Sequence, residues 1–165
     1  MFIYKKQTAW VKWGEARSSQ FGILNGTRQG SVLSPCFFAA YVDDLLKELR
    51  NLGVGCHLGG TFFGAAGFAD DLILIAPCRS AMKIMLETCE NFAIKNNLLF
   101  STDENPDKSK TKCIFMCGKS GVGVDYPAPL QLNGCDLPWV EKGTHLGHEL
   151  QQSCNMDYDA RCKSM

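Results

Sequence analysis

An α+β fold, with two helices on one face of a small antiparallel sheet, is what this sequence predicts, and two observations lead to it. Apolar residues recur at two different periods in successive stretches, near two residues where strands fit and at three- to four-residue steps where helices fit. The changeovers fall on glycine, proline and asparagine, the residues that end regular elements. At 165 residues with 45% hydrophobic content the chain suits one domain with an ordinary core.

In chain order, Thr8 to Trp13 and Gln20 to Leu24 favour strands, and Gly14-Glu15-Ala16-Arg17 reads as the turn of a hairpin. Asn25-Gly26-Thr27-Arg28-Gln29-Gly30 follows as an exposed loop whose glycines let backbone approach a ligand closely. Ser34 suits an N-cap and Pro35 the first helical position, after which Phe38, Tyr41, Leu45 and Leu49 mark one face of a helix reaching about Arg50. Glycines from Gly53 to Gly60 interrupt the pattern. Phe62 to Phe68 and Leu72 to Ala76 are short apolar runs on either side of Asp70-Asp71, a tight hairpin with two carboxylates at its tip. Pro77 ends the second run, Ser80 suits the cap of a second helix with Met82, Met85, Leu86, Cys89, Phe92 and Ala93 as its buried stripe, and Asn96-Asn97 closes it. Strands are expected at Leu98 to Ser101 and Thr111 to Met116, joined by a polar loop. A glycine- and proline-rich stretch runs to Pro138, with a hairpin through Asn133-Gly134.

Composition narrows the function. The 17 basic and 17 acidic residues leave no general field to hold the chain on a phosphate backbone, so any nucleic-acid contact is local. The denser basic stretches, Lys5, Lys6, Lys12 and Arg17 and then Lys108, Lys110, Lys112 and Lys119, read first as solvated faces. Nine cysteines are an odd number in a chain without a signal-peptide pattern, which points to reduced thiols inside the cell, in nucleus or cytoplasm, rather than a secreted disulfide framework. Cys113 and Cys117 with His145 and His148 lack a C-x₂-C pair, so buried structural thiols are expected in place of a zinc site. No apolar stretch approaches the roughly 20 residues that span a bilayer.

Asp70 and Asp71 interrupt the apolar run Phe68 to Ala76. Adjacent carboxylates repel and are costly to desolvate, so a tip that keeps both suits a divalent cation, while a solvated turn is the plainer alternative. Tyr41-Val42-Asp43-Asp44 is a rival pair, but it lies in a helical stretch where neighbours point about 100° apart and Asp43 can pair with Lys47.

Arg28-Gln29-Gly30-Ser31-Val32-Leu33-Ser34-Pro35, followed by Phe68-Ala69-Asp70-Asp71, resembles reverse transcriptases of non-LTR (LINE-type) retrotransposons. Asn105 to Lys112 is similar to the family's Asn-x-x-Lys segment, and His145-Leu146-Gly147-His148 to its Tyr-Leu-Gly primer-grip turn. The resemblance implies a polymerase palm, RNA template, DNA primer and dNTP as partners, and two Mg²⁺ ions. Residue by residue, it implies that Asp70 is the direct metal ligand and Asp71 its support. Arg28, Gln29, Gly30, Phe68 and Ala69 would lie at the nucleotide and template, Lys108 would protonate or neutralise the departing pyrophosphate, and Leu146-Gly147 would hold the primer end. Phe68 and His145 stand where relatives carry tyrosine.

Residues 1–150 are thus expected to be a partial palm, with fingers and thumb largely absent, and 151–165 a truncated tail toward the thumb. The family's further carboxylate comes from a strand upstream of the Arg-Gln-Gly loop, yet Glu15 is the only acid before Arg28. A catalytically inactive polymerase fragment is the expectation; a non-catalytic nucleic-acid-binding remnant and a decayed retrotransposon piece are the alternatives. The oligomeric state stays open.

Overall fold

The computed structural model describes residues 7–23, 26, 30–103, 105, 107–116 and 127–152. The chain divides into two compact units, Met1–Asp44 and Leu45–Met165.

In the first unit β1 (Thr8–Ala9), β2 (Lys12–Trp13), β3 (Ala16–Arg17) and β4 (Phe21–Gly22) build a hairpin where one was expected, but its turn is Gly14-Glu15 alone: Ala16 and Arg17, read as turn residues, pair with Trp13 and Lys12. The register is Thr8 to Gly22 and Ala9 to Phe21 at its base, Lys12 to Arg17 and Trp13 to Ala16 at its tip. Ser18, Ser19 and Gln20 stand opposite Trp10 and Val11, so the returning strand carries one extra residue, a bulge that splits the ladder. Val11 stays paired across it, accepting from the Ser18 N–H at 3.0 Å and donating to the Ser18 hydroxyl at 2.9 Å.

Helix α1 covers Ser34–Asn51, starting where Ser-Pro placed it. Leu45 and Leu49 from its last turns are buried in the second unit's core. Next, β5 (His57–Leu58) and β6 (Thr61–Phe62) form a small hairpin that the glycine-rich stretch did not suggest. Gly59 and Gly60, at φ +55° and +80°, form its turn. Then β7 (Ala65–Phe68) pairs antiparallel with β8 (Asp71–Leu74).

Helix α2 (Arg79–Lys95) follows, with Cys78 at its N-cap where Ser80 was expected. Its buried stripe is Ala81, Met85, Leu86, Cys89, Phe92 and Ala93; Met82 is only half-buried. Asn96 and Asn97 end it: Asn97 turns left-handed at φ 52°, its N–H bonds the Ile94 carbonyl, and the Leu98 N–H reaches back to Ala93 at 2.9 Å. These crossed bonds satisfy the helix's last carbonyls and bring Leu98 onto the core.

The strands expected at Leu98 to Ser101 and Thr111 to Met116 do not form as ladders. The Ser101 carbonyl takes both the N–H and the hydroxyl of Thr111, at 3.2 and 2.8 Å, and the Phe100 carbonyl takes the Asn133 side chain at 3.0 Å. With those acceptors engaged singly, one parallel bridge between Cys113 and Trp139 is what remains of pairing there. Beyond it, β9 (Leu130–Leu132) and β10 (Cys135–Leu137) form the expected Asn133-Gly134 hairpin, both turn residues at positive φ. Last, β11 (Lys142–His145) pairs with β12 (His148–Gln151) through Leu146-Gly147.

The α+β class is as expected, but the single small sheet is not. Among the described residues the strands pair as six separate two-stranded antiparallel ladders. The Phe63 N–H to Cys56 carbonyl bond extends the β5–β6 hairpin, and the single Cys56 N–H to Ile75 carbonyl bond, at 3.1 Å, links it to β7–β8 without a ladder.

Two clusters hold the second unit together. One gathers Leu45, Leu49, Met85, Cys89 and Phe92 beneath Phe62, Ala65, Leu72 and Leu74; the other gathers Leu86, Leu130, Leu132 and Leu137. Each such large side chain contributes about 1.5–3 kcal/mol on burial.

Candidate functional site

The β7–β8 hairpin presents the carboxylates. Its register sets Ala65 against Leu74, Ala66 against Ile73, Gly67 against Leu72 and Phe68 against Asp71, leaving Ala69-Asp70 as a two-residue turn. Strand alternation then separates two faces. Ala65, Leu72 and Leu74 pack on the core, while Phe68 and Asp71 lie cross-strand on the outer face, with Asp70 at the tip beside them. Both aspartates are exposed, and Phe68 is 66% exposed. Ala69 at φ 52° makes the tight reversal. Two adjacent acidic side chains are thereby held in water, on a support whose half-buried Leu72 and Leu74 pack against the core. Their oxygens are the donor type that hard divalent cations take. Among the described residues no group of three or more His, Cys, Asp or Glu side chains is placed to hold a metal ion.

Lys108 sits in a separately braced loop. The Asp103 carboxylate accepts the Asn105 N–H at 2.8 Å, the Asn105 side chain accepts the Asp107 N–H at 2.9 Å, and the Asn105 carbonyl accepts the N–H groups of Lys108 and Ser109. Ser109, buried at 3% exposure, donates its hydroxyl to the Thr111 carbonyl at 2.6 Å. That brace leaves Lys108 exposed. Among the described residues no ion pair joins it to Asp70 or Asp71.

Leu146 and Gly147 are the tip of β11–β12, at φ 50° and 76°, between the cross-strand partners His145 and His148. Gly30 is exposed at φ +80°, a backbone suited to glycine, and a Cβ there would meet nothing within 4 Å. Arg28 and Gln29 lie outside the described residues. Asp43 and Asp44, the rival pair, lie within α1 as their spacing implied.

Two features escaped sequence reasoning. Trp10, Lys12 and Arg17 collect on one exposed hairpin face, with the Arg17 guanidinium 4.2 Å from the Trp10 ring centre; reading Arg17 as a turn residue hid its pairing with Lys12. The thiols also differ from expectation: Cys89 is buried, but Cys36 and Cys78 are exposed. The Cys78 thiol is lowered below the usual thiol range by its hydrogen bond with the Ser80 hydroxyl, 3.1 Å away.

The family model described as reverse transcriptase (RNA-dependent DNA polymerase) matches residues 2–150, and the chain belongs to that family. More particularly, it is similar to polyproteins of R2 retrotransposable elements. The retrovirus-related Pol polyprotein from type-2 retrotransposable element R2DM of Drosophila melanogaster is 33% identical over 87 residues, 53% of this chain and 8% of that protein. The corresponding polyproteins from type-1 retrotransposable element R2 of Nasonia vitripennis and Popillia japonica are 26% identical over 149 residues and 28% over 131, covering 90% and 76% of this chain. The chain spans 8%, 14% and 18% of the lengths of these three relatives.

Proposed function

We propose that the β7–β8 hairpin is the carboxylate-bearing part of a palm, residues 1–150, that adds deoxynucleotides to a DNA primer opposite an RNA template. The observation that carries this reading is the Asp70-Asp71 pair, exposed on a core-anchored hairpin inside the family match. Asp70 binds the metal directly and Asp71 supports it. Carboxylate oxygens in water fit Mg²⁺, which when bound in a pair supplies activation of the attacking hydroxyl and neutralisation of the leaving oxygen. Phe68 is an aromatic wall, with Ala69 next to it at the nucleotide. Arg28, Gln29 and Gly30 lie at the incoming nucleotide and template, where glycine allows close approach and the amide can bond a base or sugar. As the primer 3′-oxygen, its proton released to solvent, bonds to the α-phosphorus and the bond from that phosphorus to the pyrophosphate oxygen breaks, Lys108 neutralises or protonates the departing pyrophosphate. Leu146-Gly147 steadies the primer end, and 151–165 leads toward the thumb.

Asp70 and Asp71 have no third carboxylate grouped with them among the described residues, and the chain alone is expected not to polymerise. In primer extension on an RNA template with Mg²⁺, the purified chain is expected to incorporate nothing. Incorporation that Asp70→Ala abolishes would overturn that inactivity. The role of the hairpin is tested in an R2-type polyprotein whose matching segment is replaced by residues 2–150: Asp70→Ala should lower extension by about a hundredfold or more, and full activity in that variant would overturn the assignment.

A further inference from the structure

The N-terminal hairpin sorts its side chains by face. Lys12 and Arg17 are direct cross-strand partners, so both cations leave the ladder on one side. Arg17 lies over the Trp10 ring, which puts Trp10, 46% exposed, on that side as well. Thr8, two residues before Trp10, shares the side by strand alternation, and Gln20 reaches it there, its Nε2 donating to the Thr8 hydroxyl at 2.6 Å. Trp13 and its partner Ala16 turn to the opposite face.

Two like charges set directly opposite destabilise a hairpin. Among the described residues neither Lys12 nor Arg17 has a carboxylate partner, and the single acid between Gln7 and Ile23 is Glu15 in the turn. A phosphate placed across the two cations removes the repulsion. Beside it, Trp10 offers a flat face backed by a guanidinium, the surface on which an unpaired base stacks. A base within a duplex is already stacked and cannot use it.

We propose that this face, Trp10, Lys12, Arg17 and Gln20, is a binding surface for single-stranded RNA. Lys12 and Arg17 take backbone phosphates and Trp10 takes a base. With its Nε2 on Thr8, the Gln20 amide keeps its carbonyl oxygen as an acceptor, which a ribose 2′-hydroxyl satisfies and deoxyribose does not. The choice of RNA rests also on the proposed polymerase function; the phosphate and stacking contacts do not. The surface is distinct in sequence from the Arg28-Gln29-Gly30 loop and from the carboxylate hairpin.

The test is fluorescence anisotropy of a labelled 12-nucleotide mixed-sequence RNA with the 165-residue chain over a salt series, against DNA of the same sequence and the RNA duplex. Binding is expected to be tightest for single-stranded RNA and to weaken with salt. Lys12→Ala with Arg17→Ala should flatten the log Kd against log salt slope by about 1.4. Trp10→Ala should weaken binding between about fivefold and a hundredfold. Arg17→Lys should weaken it with the slope kept, and circular dichroism of each variant should match the parent. Affinity unchanged by the double substitution, or DNA or duplex bound as tightly as single-stranded RNA, would overturn the proposal. Asp70→Ala should leave this affinity unaltered, so failure of the polymerase reading and failure of this one give different results.

Discussion

Ala69 holds a left-handed backbone at φ 52° in the turn that carries Asp70. A Cβ in that region costs about 1–2 kcal/mol, and glycine is free of the cost while adding freedom to the unfolded chain. Ala69→Gly is therefore expected to raise stability by up to about 1 kcal/mol in urea denaturation, while loosening the tip that presents the carboxylates. Gly64 is the opposite case. A Cβ there would come within 2.5 and 2.7 Å of Phe62 ring carbons and 3.2 Å of the Cys56 nitrogen, and Phe62 belongs to the core. Gly64→Ala should destabilise by about 1–3 kcal/mol by the same measurement. Cys89 makes stability depend on pH. Burial pushes its thiol from 9.0 up to about 12, and Cys113 is pushed in the same direction to about 11. Above pH 9 the unfolded chain loses these protons while the folded chain keeps them, so stability falls as pH rises toward 12. Each unit in that window costs about 1.4 kcal/mol for one fully protected thiol. The alkaline slope of the urea midpoint should shrink in Cys89→Ala, whatever that variant loses in packing.

At the scale of elements, helix ends and tight turns were the most legible features. Ser34-Pro35, Asn96-Asn97 and Asn133-Gly134 act through local backbone chemistry, and the structure places a helix start, a helix end and a hairpin turn at those positions. The β5–β6 hairpin was hidden because glycines were read as breakers, although Gly59-Gly60 is equally a turn pair. Strands at Leu98 to Ser101 and Thr111 to Met116 were expected from apolar content alone, which cannot show that Thr111 and Asn133 would occupy their acceptors. Another long-range contact ties the first residue of α2 to the approach to β9. Arg79 donates from Nε to the Ala128 carbonyl at 2.9 Å and from Nη2 to the Pro129 carbonyl at 2.8 Å, clamping the approach to β9 onto the helix. Hydrogen bonds from a charged donor contribute about 1.5–3 kcal/mol each where sheltered and less at an exposed site like this one. Arg79→Ala should speed amide exchange in Leu130–Leu132 while leaving α2 protected, which hydrogen exchange would resolve residue by residue.

Across the second unit, the two core clusters share Leu74 and Phe100, each packed against both. Leu74 also belongs to β8, three residues beyond Asp71. Leu74→Ala should therefore cost about 2–4 kcal/mol, and in double-mutant cycles it should couple to both Leu49→Ala and Leu132→Ala, whose own effects add. The candidate site was legible in part for a related reason. Two charges inside an apolar run betray a hairpin tip, and cross-strand register then settles which face each aspartate takes. How Lys108 stands to that tip depends on the loop braced by Asn105 and Ser109, which local periodicity does not encode. Every ladder among the described residues is only two strands wide. The outer flanks of β7 and β8 thus keep rows of amide hydrogens and carbonyl oxygens with no ladder partner, a template for any extended peptide. A third strand laid there would be aligned by backbone pairing before its side chains mattered. Where no such strand is offered, copies of the chain can lend their edges to one another, and the same open backbone becomes a route to aggregation at high concentration.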